Sequence, residues 1–344
     1  MTGTGAGRHP RDLGLEPARA LVRRAVDKAE QLGLRGAVAV VGASGTVITA
    51  SRMDGGGPGG MARARSKAWI AGTQQIPSAE HLHRMTTIAP PIAAGFAVAS
   101  PEALFPGAGG LPVFAGGAAQ GGPVVAGIAA SGATVSPFFP EGVDPRVVSA
   151  GGRPANPEDL LIAYALDIPY AGQHGDDQKR WQQRFGDLVI SPAESLGMAP
   201  APAASAQAQL DWAIALCDAV MAEAARRGDR VAVAVVDSGG DPVQQDLMDG
   251  APAGGVAIAQ AVAGAAALFG CPSAHLDNYL GGRDLGDRLD AVARLLVPPV
   301  LGIPGGLPVR DGGRLVAGLG VGGASAVTCA DIARVALVAT GAAP

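Results

Sequence analysis

The chain has 344 residues, which favours about two domains, and its formal net charge of -4 without a basic run argues against nucleic-acid binding. Only 16% of the residues are charged and 48% are hydrophobic, so we expect self-association to cover part of the surface. No uninterrupted apolar segment is long enough to span a membrane, and the three cysteines lack CxxC spacing. These features together favour a cytoplasmic protein.

The first half of the chain alternates between helix and strand patterns. Residues 1–14 are predicted to form a disordered tail, and the apolar spacing of residues 16–32 predicts an amphipathic helix that ends at Gly33. The apolar run Val38–Val41 and the Gly-containing turn after it predict a hairpin. The other elements predicted for this half are a strand over 46–51, helices over 60–73 and 78–85, strands over 112–115 and 123–130, and a closing helix over 144–150.

A proline-rich segment, residues 153–205, separates the two halves. It contains Tyr164, Tyr170, Trp181 and Phe185, and a flexible linker would be poorer in aromatic residues, so we expect a packed linker. The second half then repeats the plan, with helices over 206–227 and 253–269, strands over 231–236 and 242–247, an apolar stretch over 284–296, strands over 307–310 and 314–321, and a helix over 328–339.

Short motifs of the first half return in the same order in the second half. A repeat of this length predicts two copies of a whole domain, over residues 15–152 and 206–344. The three clearest matches have offsets of 195, 196 and 191 residues: Met53–Gly55 with Met248–Gly250, Gly109–Val113 with Gly305–Val309, and Val125–Ile128 with Val316–Leu319.

The ordered motifs resemble those of the GlcG/HbpS-like family, which includes haem-binding proteins and the C-terminal domain of PduO-type proteins. The resemblance implies an α+β fold with two tandem domains, each a five-stranded antiparallel sheet flanked by helices, arranged as a pseudo-dimer. It rests on these segments: Arg52–Gly55, Lys67-Ala68, Gly109–Val113 and Gly127–Gly132 in the first half, and Val235–Asp237, Gly239, Met248–Gly250, Gly305–Pro308 and Gly318–Val321 in the second.

The two copies differ at positions that carry charge. Three such differences stand out: Gly42 corresponds to Asp237, Arg52 to Leu247, and Lys67 to Val262. We therefore expect that a pair of equal sites in an ancestral dimer has been specialised or reduced to one.

Arg52, Asp54 and Lys67 form the best constellation of candidate site residues in the first copy. A guanidinium and an ammonium beside one cleft would hold a carboxylate, such as a haem propionate or a small organic acid. The structural alternative is that Asp54 caps the next helix and pairs with one of the two cations. Asp249 is the counterpart of Asp54 in the second copy and is a further candidate for ligand binding.

Histidines supply the other candidates. His81 and His83 are predicted to lie on a helix, where side chains two residues apart diverge, so we expect no two-histidine metal site. His81 is a candidate axial haem ligand or general base, and an ordinary packed or solvated histidine is the alternative. His275 lies almost opposite His81 in the repeat, and Arg283 would bind an anion or begin the next helix.

Three functions remain open at this point. The resemblance favours a small-ligand-binding protein whose cofactor is haem or a related tetrapyrrole. The alternative is an enzyme without an organic cofactor that acts on a small carboxylated metabolite, with Arg52 and Lys67 anchoring the anion and His81 or Asp54 moving a proton. The third is a structural role as a subunit of a larger assembly.

Overall fold

The structure, a computed structural model of the chain, describes two compact units. The first copy lies within residues 10–206 and the second copy within residues 207–344. Predictions for residues 84–102, 144–150 and 284–296 fall outside the described residues. The described residues are 12–31, 34–83, 103–105, 107–115, 122–132, 157–168, 208–276 and 300–342.

The first copy is an antiparallel sheet with helices packed on it. Strand β4 pairs with β3 and β1, and β1 also pairs with β2, which gives the order β3-β4-β1-β2. All six positions of β1 are buried, because helices cover both of its faces. The elements are α1 (Leu15–Gln31), β1 (Ala37–Gly42), β2 (Val47–Arg52), α2 (Gly59–Thr73), α3 (Ser78–His83), β3 (Gly110–Phe114), β4 (Val124–Ser131) and α4 (Pro157–Leu166).

The second copy repeats this architecture. Its strands pair antiparallel in the order β7-β8-β5-β6, and the predicted α+β class is confirmed, with four strands in each copy among the described residues. The elements are α5 (Ala208–Arg227), β5 (Ala232–Asp237), β6 (Pro242–Leu247), α6 (Gly255–Phe269), a 3-10 helix (Ser273–His275), β7 (Gly306–Asp311), β8 (Arg314–Gly322) and α7 (Ala326–Ala339).

The repeat extends to fine details of strand pairing. The β1–β2 register shifts between Val40 and Val41, and the β5–β6 register shifts between Val235 and Val236, which are the equivalent positions. Each of these hairpins therefore carries the same irregularity.

A carboxylate organises the hairpin turn in each copy, although it comes from different places. In the second copy, Asp237 accepts the backbone N–H groups of Gly239 and Asp241 at 2.9 and 3.1 Å. In the first copy, Asp12 accepts the N–H of Ser44 at 3.0 Å. A Cβ at Gly42 would lie only 2.5 Å from the Asp12 carboxyl carbon, so glycine leaves the room that Asp12 fills. Although Gly42 and Asp237 differ, a carboxylate therefore accepts backbone N–H groups of the hairpin turn in both copies.

The closing helix of the first copy is reached by a longer route than that of the second. Helix α7 follows β8 almost at once and packs on α5, β8 and β7. Helix α4 packs on the equivalent elements α1, β4 and β3, although residues 132–156 separate it from β4. Residues 157–166, which the sequence analysis assigned to the linker, therefore take the place of a closing helix. None of the described helices combines the length and apolar character needed to cross a membrane.

Candidate functional site

Lys67 lies in the interior of the first copy. Helix α2 directs this side chain inward, and it is only 2% exposed. The three N–H groups of its Nζ donate to Ala108 O and Ala130 O, both at 2.8 Å, and to Glu158 Oε2 at 2.6 Å. An ammonium has three donors, so these bonds use all of them. A ligand carboxylate would have to displace one of these bonds to reach Lys67.

The partner of Lys67 belongs to the first turn of α4. The second oxygen of Glu158 accepts the N–H of Gly132 at 2.7 Å, and the neighbouring Asp159 accepts the N–H of Gly109. Gly109 has a φ of 106°, a conformation that favours glycine. The two carboxylates therefore bind α4 to the ends of β3 and β4 through charge-assisted hydrogen bonds.

The bonds of Lys67 go to Ala108, Ala130 and Glu158 and not to Arg52 or Asp54. Arg52 ends β2, is partly buried, and donates from Nη1 to Gly56 O at 3.1 Å. Asp54 lies in the turn that follows and is also partly buried. Lys67 makes no bond to either residue among the described contacts. Asp249, the counterpart of Asp54, is exposed.

The repeated segments Pro77–Ala79 and Pro272–Ala274 fix the alignment of the histidines. Ser78 Oγ accepts the N–H of Gly110 at 3.0 Å, and Ser273 Oγ accepts the N–H of Gly306 at 2.8 Å. This Pro-Ser-Ala repeat is also present in the sequence at an offset of 195 residues, although it is not one of the matches from which the repeat was predicted.

This alignment separates the two histidines that the sequence placed almost opposite each other. His81 is 5% exposed, and its equivalent is the buried Leu276. His275 is exposed and corresponds to Glu80. The side chain of His83 and the whole of Arg283 lie outside the described residues. No cluster of three histidine, cysteine or acidic side chains able to hold a metal ion occurs in the described part of the chain.

An open pocket in the second copy was missed by sequence reasoning. It has a volume of about 430 Å³ and lies where the end of α5, the start of β7 and the first half of α7 meet. No short motif marks it, because its charged residues come from helices that are distant in sequence. Its lining residues are Arg227, Leu307, Val327, Thr328, Ala330, Asp331 and Arg334.

Ion pairs fix the charged wall of this pocket. Asp331 accepts Arg227 Nη1 at 2.9 Å and Arg334 Nη2 at 2.7 Å, one on each carboxylate oxygen. Hydrogen bonds from these two guanidinium groups lower the pKa of Asp331. Glu223 accepts hydrogen bonds from the guanidinium groups of Arg226 and Arg227, and these bonds lower its pKa to about 2. Both carboxylates are therefore ionised at neutral pH.

Comparisons with known proteins agree with the fold and the repeat. The model of the family described as haem degrading protein HbpS-like matches residues 13–137 and 209–337. A search of curated proteins found no significant match.

Solved structures similar to this chain match about two fifths of it. A double mutant of HbpS from Streptomyces reticuli is 27% identical over 41% of this chain and 97% of that one, with a TM-score of 0.33. Klebsiella pneumoniae protein ORFY is 24% identical over 39% of this chain and 91% of that one, with a TM-score of 0.34. The PduOC:Heme complex is 24% identical over 39% of this chain and 94% of that one, also with a TM-score of 0.34.

The family match covers well over half of the chain and occurs once in each copy. It confirms the resemblance that the ordered motifs indicated. The chain belongs to the HbpS-like family and carries two tandem copies of its domain.

Proposed function

We propose that this chain is a small-ligand-binding protein whose ligand is haem or a related tetrapyrrole. The observation that carries the proposal is the match of both copies to a family described as haem-degrading and HbpS-like. A function inferred from a family needs support from the site itself, because one fold hosts many activities.

The chemistry of the described histidines allows a test of fit. Haem iron accepts an imidazole nitrogen as an axial ligand, and the imidazole must reach the iron from the protein surface or a cavity. His275 is exposed, at the end of a 3-10 helix that Ser273 and the buried Leu276 hold in place. His81 is almost fully buried, so α3 would have to move before its ring met iron. His275 is therefore the better of these two candidates.

Haem, when bound, would supply the iron and the redox chemistry, and the protein would supply the ligand and the shape of the site. On this proposal the imidazole of His275 holds the iron, and the anchored backbone around Ser273 fixes where the ring stands. The second copy would then carry the haem, because the position equivalent to His275 in the first copy is occupied by Glu80.

A haemin titration tests the proposal. The full chain is titrated with haemin while the Soret band is recorded for the wild type, His275→Ala and His81→Ala, with His174→Ala as a control in the segment between the copies. We expect a saturable red-shifted band in the wild type and in His174→Ala, and its loss in His275→Ala. Circular dichroism checks that each variant is folded.

Two results would contradict this expectation in different ways. A wild-type spectrum that only sums the spectra of protein and free haemin would reject tetrapyrrole binding. A band that survives in His275→Ala and disappears in the folded His81→Ala variant would move the ligand to the first copy.

A further inference from the structure

The pocket at the meeting of α5, β7 and α7 combines two guanidinium groups with an apolar wall. Arg227 and Arg334 are brought together because each binds one oxygen of Asp331. Glu223 also holds Arg227 through Nε at 2.6 Å, so this guanidinium is fixed from two sides. Its side chain is 23% exposed and borders the pocket.

Donors remain on this wall after the ion pairs are satisfied. Among the described residues, Arg334 makes its bond through Nη2, which leaves Nε and Nη1 available. Arg227 bonds through Nε and Nη1 and retains Nη2. A guanidinium presents its five N–H groups in a fixed fork that matches a carboxylate. The pocket wall can therefore donate to a further anion without breaking an existing ion pair.

The charges at the pocket do not cancel. Two arginines and one aspartate line it, so the lining carries one net positive charge. Beyond the lining, Glu223 is shared between Arg227 and the outward Arg226. A single monoanion would neutralise the lining charge.

The rest of the lining is apolar. Leu307 is partly buried, and Val327 is 76% exposed, although it borders the pocket. An apolar ligand segment laid against Val327 would remove this side chain from water. Cationic and apolar groups in one cavity match a ligand with a charged end and a hydrocarbon end.

The first copy lacks both arginines at the equivalent places. Gly305 lies beside Cys329 of α7 as Gly109 lies beside Glu158 of α4, so these two residues correspond. Arg334 then corresponds to Ala163, which is fully buried. By the repeat offset, Arg227 corresponds to Leu32 in the sequence. At these two positions the second copy therefore differs from the first, and the differences are separate from those noted around Arg52.

We propose that this pocket binds a small organic monocarboxylate with an apolar tail. The carboxylate bonds to the unused N–H groups of Arg227 and Arg334, and the tail lies on Leu307 and Val327. This site is distinct from the haem site of the proposed function, because no histidine, cysteine, methionine or tyrosine is among its lining residues.

The probe for the test is hexanoate, with hexanamide as the uncharged probe of the same shape and acetate as the probe without a tail. Each is titrated into the full-length chain and followed by NMR methyl shifts of Leu307 and Val327. We expect saturable hexanoate binding and much weaker binding of hexanamide and acetate. Arg334→Gln should weaken hexanoate binding about tenfold, since a charge-assisted bond is lost.

Arg226→Gln is the matched control. Arg226 is about as exposed as Arg334 and also pairs with a carboxylate, but it does not line the pocket. Its replacement should leave hexanoate affinity within about twofold, the range expected for an exposed pair. Equal weakening in both variants would show that the loss reflects the overall charge of the protein and not the pocket, and it would overturn the proposal. Equal binding of hexanoate and hexanamide would also overturn it.

Haem also carries carboxylates, so the titration is repeated on protein saturated with haemin. Unchanged hexanoate affinity supports a separate site. Displacement of hexanoate by haemin would assign the pocket to the haem site and reject a dedicated monocarboxylate site. Absence of haemin binding would affect only the proposed function, because the hexanoate titration does not depend on it.

Discussion

Two equivalent glycines, Gly109 in the first copy and Gly305 in the second, have different neighbours. The first lies beside an ion pair and the second beside an apolar pair. Gly109 lies beside Ala130 O and Glu158, and Gly305 lies beside Val321 O and Cys329. A Cβ at Gly305 would be 3.6 Å from both Val262 Cγ2 and Cys329 Cβ. Lys67 with Glu158 in one copy therefore corresponds to Val262 with Cys329 in the other.

The route of the chain explains why one copy uses charge. Helix α7 follows β8 through a short connection and is capped by Ser325, which accepts the N–H of Thr328 at 3.2 Å. Helix α4 arrives only after residues 132–156, so its docking place must be specified by contacts. We infer that the bonds of Lys67, Glu158 and Asp159 specify where α4 docks, since in some proteins a buried ion pair contributes more to a unique arrangement than to stability.

Breaking the ion pair from one side should produce the largest effect. Glu158→Ala leaves the Lys67 ammonium buried without its counter-charge, and the expected loss is about 3–5 kcal/mol in the free energy of unfolding. Urea unfolding followed by circular dichroism measures this loss. The first copy should unfold at lower urea concentration while the second keeps its transition.

A double replacement sharpens the comparison. Lys67→Met with Glu158→Leu imitates the apolar pair of the second copy and should recover most of the stability lost in Glu158→Ala, since apolar replacements of buried ion pairs are often neutral. If the double variant is as unstable as Glu158→Ala, the ion pair contributes stability that an apolar pair at this position does not replace.

The second prediction concerns how closely a helix approaches the sheet. A Cβ at Gly320 in β8 would overlap Ala259 O of α6, whereas the equivalent position in β4 is Ala129. Gly320→Ala should therefore force α6 outward and cost about 1–3 kcal/mol of unfolding free energy. Thermal unfolding measures the change, with Gly254→Ala as the control because nothing lies within 4 Å of a Cβ there. A neutral Gly320→Ala would mean that the helix adjusts freely.

Local patterns were sufficient to predict most of the fold. The hairpins and the amphipathic α1 follow from the spacing of apolar residues, and the repeat located their counterparts. The segment that packs as a closing helix was overlooked, because residues 132–156 interrupt the repeat. Its start nevertheless carried a signal: Pro157 in the first helical position, followed by Glu158 and Asp159.

The site was less predictable because its contacts are distant in sequence. Lys67 was recognised as unusual, but its partner Glu158 lies 91 residues further along, and no local spacing connects them. The two-copy comparison held the needed hint, since Lys67 and Glu158 are both replaced in the second copy. Arg227 and Arg334 come from two helices that are distant in sequence, and no local spacing within either helix marks the pocket.

The smallest predicted effect is a pH dependence of stability that we expect in the second copy and not in the first. Glu223 has a pKa lowered from an ordinary 4.5 to about 2 by its bonds to Arg226 and Arg227, and Lys28 occupies its position in the first copy. Between these pH values the unfolded chain binds a proton at this carboxyl and the folded chain does not, so acidification favours unfolding. The stabilisation is fully present above the unfolded value of 4.5 and is lost as the pH falls towards 2.

Urea unfolding of the second copy, compared at about pH 5 and about pH 3, measures this dependence. Glu223→Gln should be less stable than the wild type at the higher pH, and the two should converge as the pH falls, because the glutamine cannot lose a proton. The first copy should show no such difference between wild type and variant, since the pair of arginines that lowers the pKa of Glu223 belongs to α5. Parallel pH profiles for the two proteins would show that Glu223 is not the group whose protonation weakens the second copy.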